Sequence, residues 1–162
     1  RDLRMSRGLG DVYKRQMQLF VLNADPTVGA DVHFLNTGVP HAVAFLDKLE
    51  GLDISRLGAY LRYHEAFSPK GTNANFARIL SPGHIAIRTY ERGVEDETLA
   101  CGTGMTACAL LHAVLTDAPS PIQVDVAGGD TLKVGFQRTG DRFTDVTLTG
   151  PADLVFTGDI QI

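Results

Sequence analysis

Apolar and polar positions alternate in short runs along most of this chain, and turn residues bound the runs. The segments MQLFVLNA, VHFLNTG, HAVAFLD, ANFARIL, HIAIRTYE, IQVDVAG, LKVGFQ, DVTLTG and DLVFTGDI read as strands. Pro26, Gly29, Gly38, Pro40, Pro82, Gly83, Gly128, Gly129, Gly140 and Pro151 stand between them, each suited to a bend or a positive φ. Two stretches break this period. Over residues 53 to about 63, Ile54, Leu57 and Leu61 share one face while Arg56 and Arg62 lie away from it, which predicts an amphipathic helix. Residues 98–116, TLACGTGMTACALLHAVLT, contain no Asp, Glu, Lys or Arg. Four threonines, two glycines, two cysteines and a histidine leave that run too little continuous apolar length to span a membrane. A helix apolar on every side must be enclosed by other elements. With many antiparallel-looking strands at hand, the expected fold is α+β, a barrel-like and mostly antiparallel sheet wrapped around a central uncharged helix. No internal repeat or linker interrupts 17–162, which reads as one domain.

Charge changes the picture at one end. Arg1, Arg4, Arg7, Lys14 and Arg15 put five of the 15 basic residues into the first fifteen positions. That stretch has neither an apolar core for a secretory signal nor a helical or strand period, so residues 1–16 are expected to be a foreign or disordered tail. It resembles vector-derived translation, and Asp2, Asp11 and a single serine argue against a mitochondrial transit peptide. The net charge of -4 offers no large cationic surface for nucleic acid or an anionic membrane, so a small ligand is expected. Cys101 and Cys108, seven apart on one helix, are separated by roughly 10 Å along its axis, too far for a disulfide. Free thiols point to a reducing cytoplasm.

The chemistry concentrates at the start of the uncharged helix. In ACGTG, Cys101 stands where unpaired backbone amides and the helix dipole favour a thiolate and a bound anion. Gly102 and Gly104 let a carboxylate approach those amides, and Thr103 adds a hydroxyl. On this motif alone Cys101 equally suits a small buried hydrophobe, and Cys108, two turns further in, suits nothing else. His41 follows Pro40 in a turn expected to present its ring. It and His33, His64, His84 and His112 show no metal-ligand spacing, so no metal is expected. Glu91 and Arg92 close a strand and lead back to Cys101 through GVEDE, although an adjacent Glu and Arg also suit a solvated surface. Asn73 in GTNANF reads first as a turn residue.

Taken together, LNTGVPHAV at 35–43, GTNANF at 71–76, YERGVEDETLACGTG at 90–104 and TGPADLVFTGDI at 149–160 resemble diaminopimelate epimerase, in that family's order. The resemblance covers nearly all of 17–162. It implies two similar lobes, each a sheet around a central helix carrying one cysteine at its start, with diaminopimelate clamped between them. One thiolate removes the α-proton and the opposite thiol returns one to the other face, without pyridoxal phosphate or metal. By motif, Cys101 matches the acid/base cysteine, and Gly102 and Thr103 match the amides that grip the α-carboxylate. His41 and Glu91 match residues that tune the thiol, Glu91 also matches the α-amino contact, and Arg92 and Asn73 match groups that bind the distal end. Val39 stands where many members have asparagine, a distal polar contact that Asn36 is not expected to replace, and the loop from Arg92 to Cys101 is one residue longer than in some members. The resemblance makes this the carboxyl-terminal catalytic lobe, 17–162, with the amino-terminal lobe and its cysteine missing, and leaves a homodimer of the whole enzyme open. Two rival readings are a proline or hydroxyproline racemase of the same superfamily and a non-catalytic small-molecule-binding lobe.

Overall fold

The computed structural model describes the backbone of residues 3–6 and residues 31–140, 142–152 and 154–161. Along the chain run β1 (Leu3–Ser6), β2 (Val32–Asn36), β3 (Pro40–Phe45), α1 (Ile54–Arg62), a 3-10 turn (Glu65–Phe67), β4 (Asn73–Ser81), β5 (His84–Glu91), β6 (Asp96–Thr98), α2 (Gly102–Thr116), β7 (Ile122–Asp125), β8 (Thr131–Thr139) and β9 (Arg142–Gly150). The expected strand MQLFVLNA and the turn residues Pro26 and Gly29 lie outside the described residues. Of the expected tail 1–16, only Leu3–Ser6 is described, running antiparallel to β9.

The strands form one mixed sheet in the order β1-β9-β8-β7-β5-β4-β3-β2, with β6 added beside β5. Pairing between described strands is antiparallel except for β3 with β4 and β5 with β7. The sheet curls around α2, which touches β2, β3, β4, β5, β7, β8 and β9. Gly104 through Ala113 of α2 are all buried, so the absence of charge has its structural cause: over these three turns no face of the helix meets water.

The pleat sorts side chains between the two helices. Val43 of β3, Ala77 of β4 and Ile85 and Ile87 of β5 join the apolar cluster around α2. Their neighbours Ala42, Ala44, Ala74, Phe76 and Tyr90 join a second cluster with Ile54, Leu57 and Leu61 of α1 on the other side. Asp53 begins α1 by accepting the Arg56 amide on its side chain at 3.0 Å, a standard cap. Gly58 lets that helix approach β5, because any Cβ there would overlap the Tyr90 side chain.

One expected strand is absent. DLVFTGDI forms no element among its described residues, and Leu154, Val155, Phe156 and Ile160 are each more than four-fifths exposed. Alternation supplies strand propensity, but a strand also needs a partner edge, and these residues lie beyond the last paired position of β9.

Candidate active site

Cys101 occupies the N-cap position of α2, with extended φ and ψ of -129° and 107°. Its carbonyl accepts the Met105 amide at 2.8 Å, which starts the helical ladder. The sulfur sits where a serine or aspartate oxygen would cap a helix, 3.6 Å from Thr103 Oγ1. Thr37, in the β2–β3 turn, donates its hydroxyl to the Thr103 carbonyl at 3.1 Å and so braces this first turn against the sheet.

The thiol does not have the depressed pKa that a helix start suggests. Burial pushes the Cys101 thiol above its ordinary range; the Thr103 hydroxyl and the amides of Gly104 and Thr103 pull it down, while the Glu91 charge pushes it up again. The sulfur-bearing residue is 7% exposed, so loss of hydration outweighs the few dipoles aimed at it. Cys108 is wholly enclosed and is pushed up strongly by that burial. Both cysteines are free.

Glu91 reaches the same place from β5. Its carbonyl accepts the amides of Val94 and Glu95 at 3.2 and 2.8 Å, turning the chain sharply. Glu95 completes the turn at φ 62°, its carboxylate taking the Gly93 amide at 3.1 Å and ion-pairing with Arg62 at 2.9 Å. The strand β6 then pairs back along β5 and delivers the chain to Cys101. A cavity of about 290 Å³ results, lined by Glu91, Cys101, Gly102, Thr103, Thr37 and Thr106 together with residues 146–148 of β9. Among the described residues, no three His, Cys, Asp or Glu side chains cluster to hold a metal.

The remaining expected residues sit apart from this cavity. Arg92 lines a second one of about 400 Å³ with Asn36, Phe67 and Lys70, and donates from Nη1 to the Lys70 carbonyl at 3.3 Å. Asn73 is buried, with Nδ2 donating to the Pro40 carbonyl at 3.0 Å and Oδ1 accepting the Arg92 amide at 2.8 Å. It therefore ties the β2–β3 turn to the backbone of Arg92. Asn36 caps its own turn by accepting the Gly38 amide at 3.0 Å, while Val39 lines neither cavity.

His41 departs from expectation, because its ring is wholly buried rather than presented by the turn. Paired with Leu35 on one side and Asn73 on the other, it lies inside the sheet, on the same face as Val43. Its pKa falls to about 4, chiefly from burial and secondarily from the Arg92 charge. The other described histidines make local contacts: His33 packs edge-on against Phe45, His84 lies 2.9 Å from Asp125, His112 accepts the Gly83 amide at 3.3 Å, and His64 accepts the Ala66 amide at 3.2 Å.

Sequence reasoning missed Asn75, Thr89, Thr37 and the β9 wall of the first cavity. Asn75 and Thr89 are buried polar residues on the α2 face beside His41. The signal for Asn75 was present: in NANF two asparagines stand two apart in a strand, and so on one face.

The sequence model of the family described as diaminopimelate epimerase matches residues 33–155. Among individual relatives, a diaminopimelate epimerase of Chlorobaculum tepidum is 45% identical over 131 residues, 80% of this chain and 50% of its own length. That of Flavobacterium psychrophilum is 47% identical over 76% of this chain and 48% of its own, and that of Aquifex aeolicus 40% identical over 91% and 51%. The chain thus spans about half the length of the curated relatives it matches. A crystal structure of a hydroxyproline epimerase from Agrobacterium vitis, with bound trans-4-hydroxy-L-proline, superposes with a TM-score of 0.59 at 17% identity, over 92% of this chain and 49% of that one. At that identity the likeness is one of fold.

Proposed function

This chain belongs to the diaminopimelate epimerase family, and we propose that it is the carboxyl-terminal lobe of an enzyme that interconverts LL- and meso-diaminopimelate, a step toward lysine and peptidoglycan precursors. The observation that carries the reading is the position of Cys101, the N-cap of an enclosed uncharged helix on the wall of a cavity shared with Glu91. In the forward step a thiolate takes the α-proton, the C–H electron pair remains on the α-carbon and its carboxylate, and a thiol on the opposite face delivers a proton to that carbon. Gly102 and Thr103 offer first-turn amides to the carboxylate as its charge grows, and Glu91 offers a carboxylate to the α-ammonium group. Because burial keeps Cys101 protonated near neutral pH, it is suited to the donating role.

Two-base transfer needs a second thiol across the α-carbon and a dry site between lobes. Cys108 cannot supply it from inside α2, so the partner cysteine belongs to an amino-terminal lobe, and the whole enzyme acts without pyridoxal phosphate or metal. Residues 17–162 then form the lobe and 1–16 a tail. A cytoplasmic setting is supported by the two free thiols. The 40–47% identity to diaminopimelate epimerases favours that substrate over a proline derivative.

The experiment is chiral separation of products with solvent-deuterium incorporation at the α-carbon. The chain alone should give no measurable conversion. A fusion to the amino-terminal lobe of a relative should restore turnover, and Cys101→Ala in the fusion should abolish it. Turnover that survives Cys101→Ala would show that the thiol assignment is wrong.

A further inference from the structure

Three adjacent strands place a chain of enclosed polar groups beneath the thiol. His41 of β3, Asn75 of β4 and Thr89 of β5 are each no more than 2% exposed. Asn75 Nδ2 donates to the Ala42 carbonyl at 3.0 Å and faces His41 Nδ1 at 3.1 Å, while Asn75 Oδ1 accepts the Thr89 hydroxyl at 3.1 Å. The orientation of this amide is set by its neighbours. A backbone carbonyl can only accept, so the amide atom facing Ala42 must be the NH₂ group. Its second hydrogen then points at His41 Nδ1, which must present a lone pair. A protonated Nδ1 would set donor against donor.

We infer that Asn75 is a positioning residue of the site, holding His41 as a neutral imidazole whose only proton is on Nε2. The inference rests on the reading that this end of α2 is the reacting end. The same amide reaches the thiol's own helix turn: a Cβ on Gly104 would lie 2.5 Å from Asn75 Oδ1 and 3.3 Å from Cys101 Sγ. His41 Nε2 is buried and has no hydrogen-bond partner among the described residues. With Nδ1 occupied, His41 can donate through Nε2 but cannot take a proton through Nδ1. Its lowered pKa, about 4, keeps it neutral at the pH where the thiols work. On this reading His41 acts as a fixed dipole rather than as a proton carrier.

The test is imidazole nitrogen NMR on the full ¹⁵N-labelled chain, with His41→Gln used to assign the ring. Long-range proton–nitrogen spectra should show His41 with Nε2 protonated and Nδ1 bare throughout the neutral range. Asn75→Asp replaces the donor facing Nδ1 with an acceptor and should move the proton to Nδ1 or protonate the ring. A wild-type ring with its proton on Nδ1, or a mixture of tautomers, overturns the inference whether or not the variant folds. A folded Asn75→Asp chain with an unchanged Nε2–H ring overturns it too. The spectra need no turnover, so their failure is distinguishable from failure of the functional reading, which shows in the fusion assay.

Discussion

The side chain of Asn75 occupies the space that any side chain on Gly104 would need, its Oδ1 standing 2.5 Å from where that Cβ would be. Asn75 is held on three sides by hydrogen bonds, so it cannot give way as a free rotamer would. Gly104→Ala should therefore destabilise the chain by about 1–3 kcal/mol, even though alanine is the better helix former by about 1 kcal/mol. Gly102→Ala is the control. Its Cβ would meet only the tip of Leu148 at 3.3 Å, and its stability should stay within about 0.5 kcal/mol of the parent. Urea denaturation of both variants measures the difference.

Thiol chemistry should follow burial. Iodoacetamide should modify Cys101, on the cavity wall, well before Cys108, which is fully enclosed. The rate at Cys101 should keep rising beyond the pH at which a free cysteine levels off, because burial holds its pKa up. The folded chain also holds both thiol protons more tightly than the unfolded chain does. Stability should therefore fall as pH rises past the ordinary thiol pKa. Peptide mass spectrometry across a pH series checks the first claim. A plateau at Cys101 below that of free cysteine would show the helix terminus prevailing over burial.

The acid side carries the opposite sign. His41 falls from an ordinary 6.5 to about 4, so below 6.5 the unfolded chain takes up a proton that the folded chain refuses. Stability should drop between those two values by roughly 3 kcal/mol on this account, at about 1.4 kcal/mol per pH unit. His41→Gln should start less stable at neutral pH yet show a flatter acid limb. Denaturant midpoints measured between pH 7 and pH 4 decide it.

A chain beginning at Met17 tests the division at residue 16. What is described of the first sixteen residues is β1, four residues on the rim of the sheet against β9. Loss of a short rim strand should leave the thermal midpoint within error. A clear fall would make β1 part of the lobe.

The sequence by itself determined the elements whose cause is local. The uncharged run 98–116 announced an enclosed helix because no charge can be left where every face is covered, and α2 is that helix. Ile54, Leu57 and Leu61 on one face located α1 to within a residue at each end, and the structure adds that Asp53 caps it rather than belonging to it. Alternation placed β2, β3, β4, β5, β7, β8 and β9. The tertiary structure alone decided who neighbours whom. Strand period says which residues share a face but not which strands pair, so the parallel joins of β3 with β4 and β5 with β7 were not legible, nor was the unpaired state of 154–160. The β3–β4 join put His41 beside Asn75, and the packing of α2 on the sheet put Asn75 beside Gly104, which buried a ring that the turn at Pro40 was expected to expose. The thiol follows the same division. Its place at a helix start is local and was read correctly. The direction of its pKa depends on how completely the rest of the chain strips water from it, a sum over residues distant in sequence.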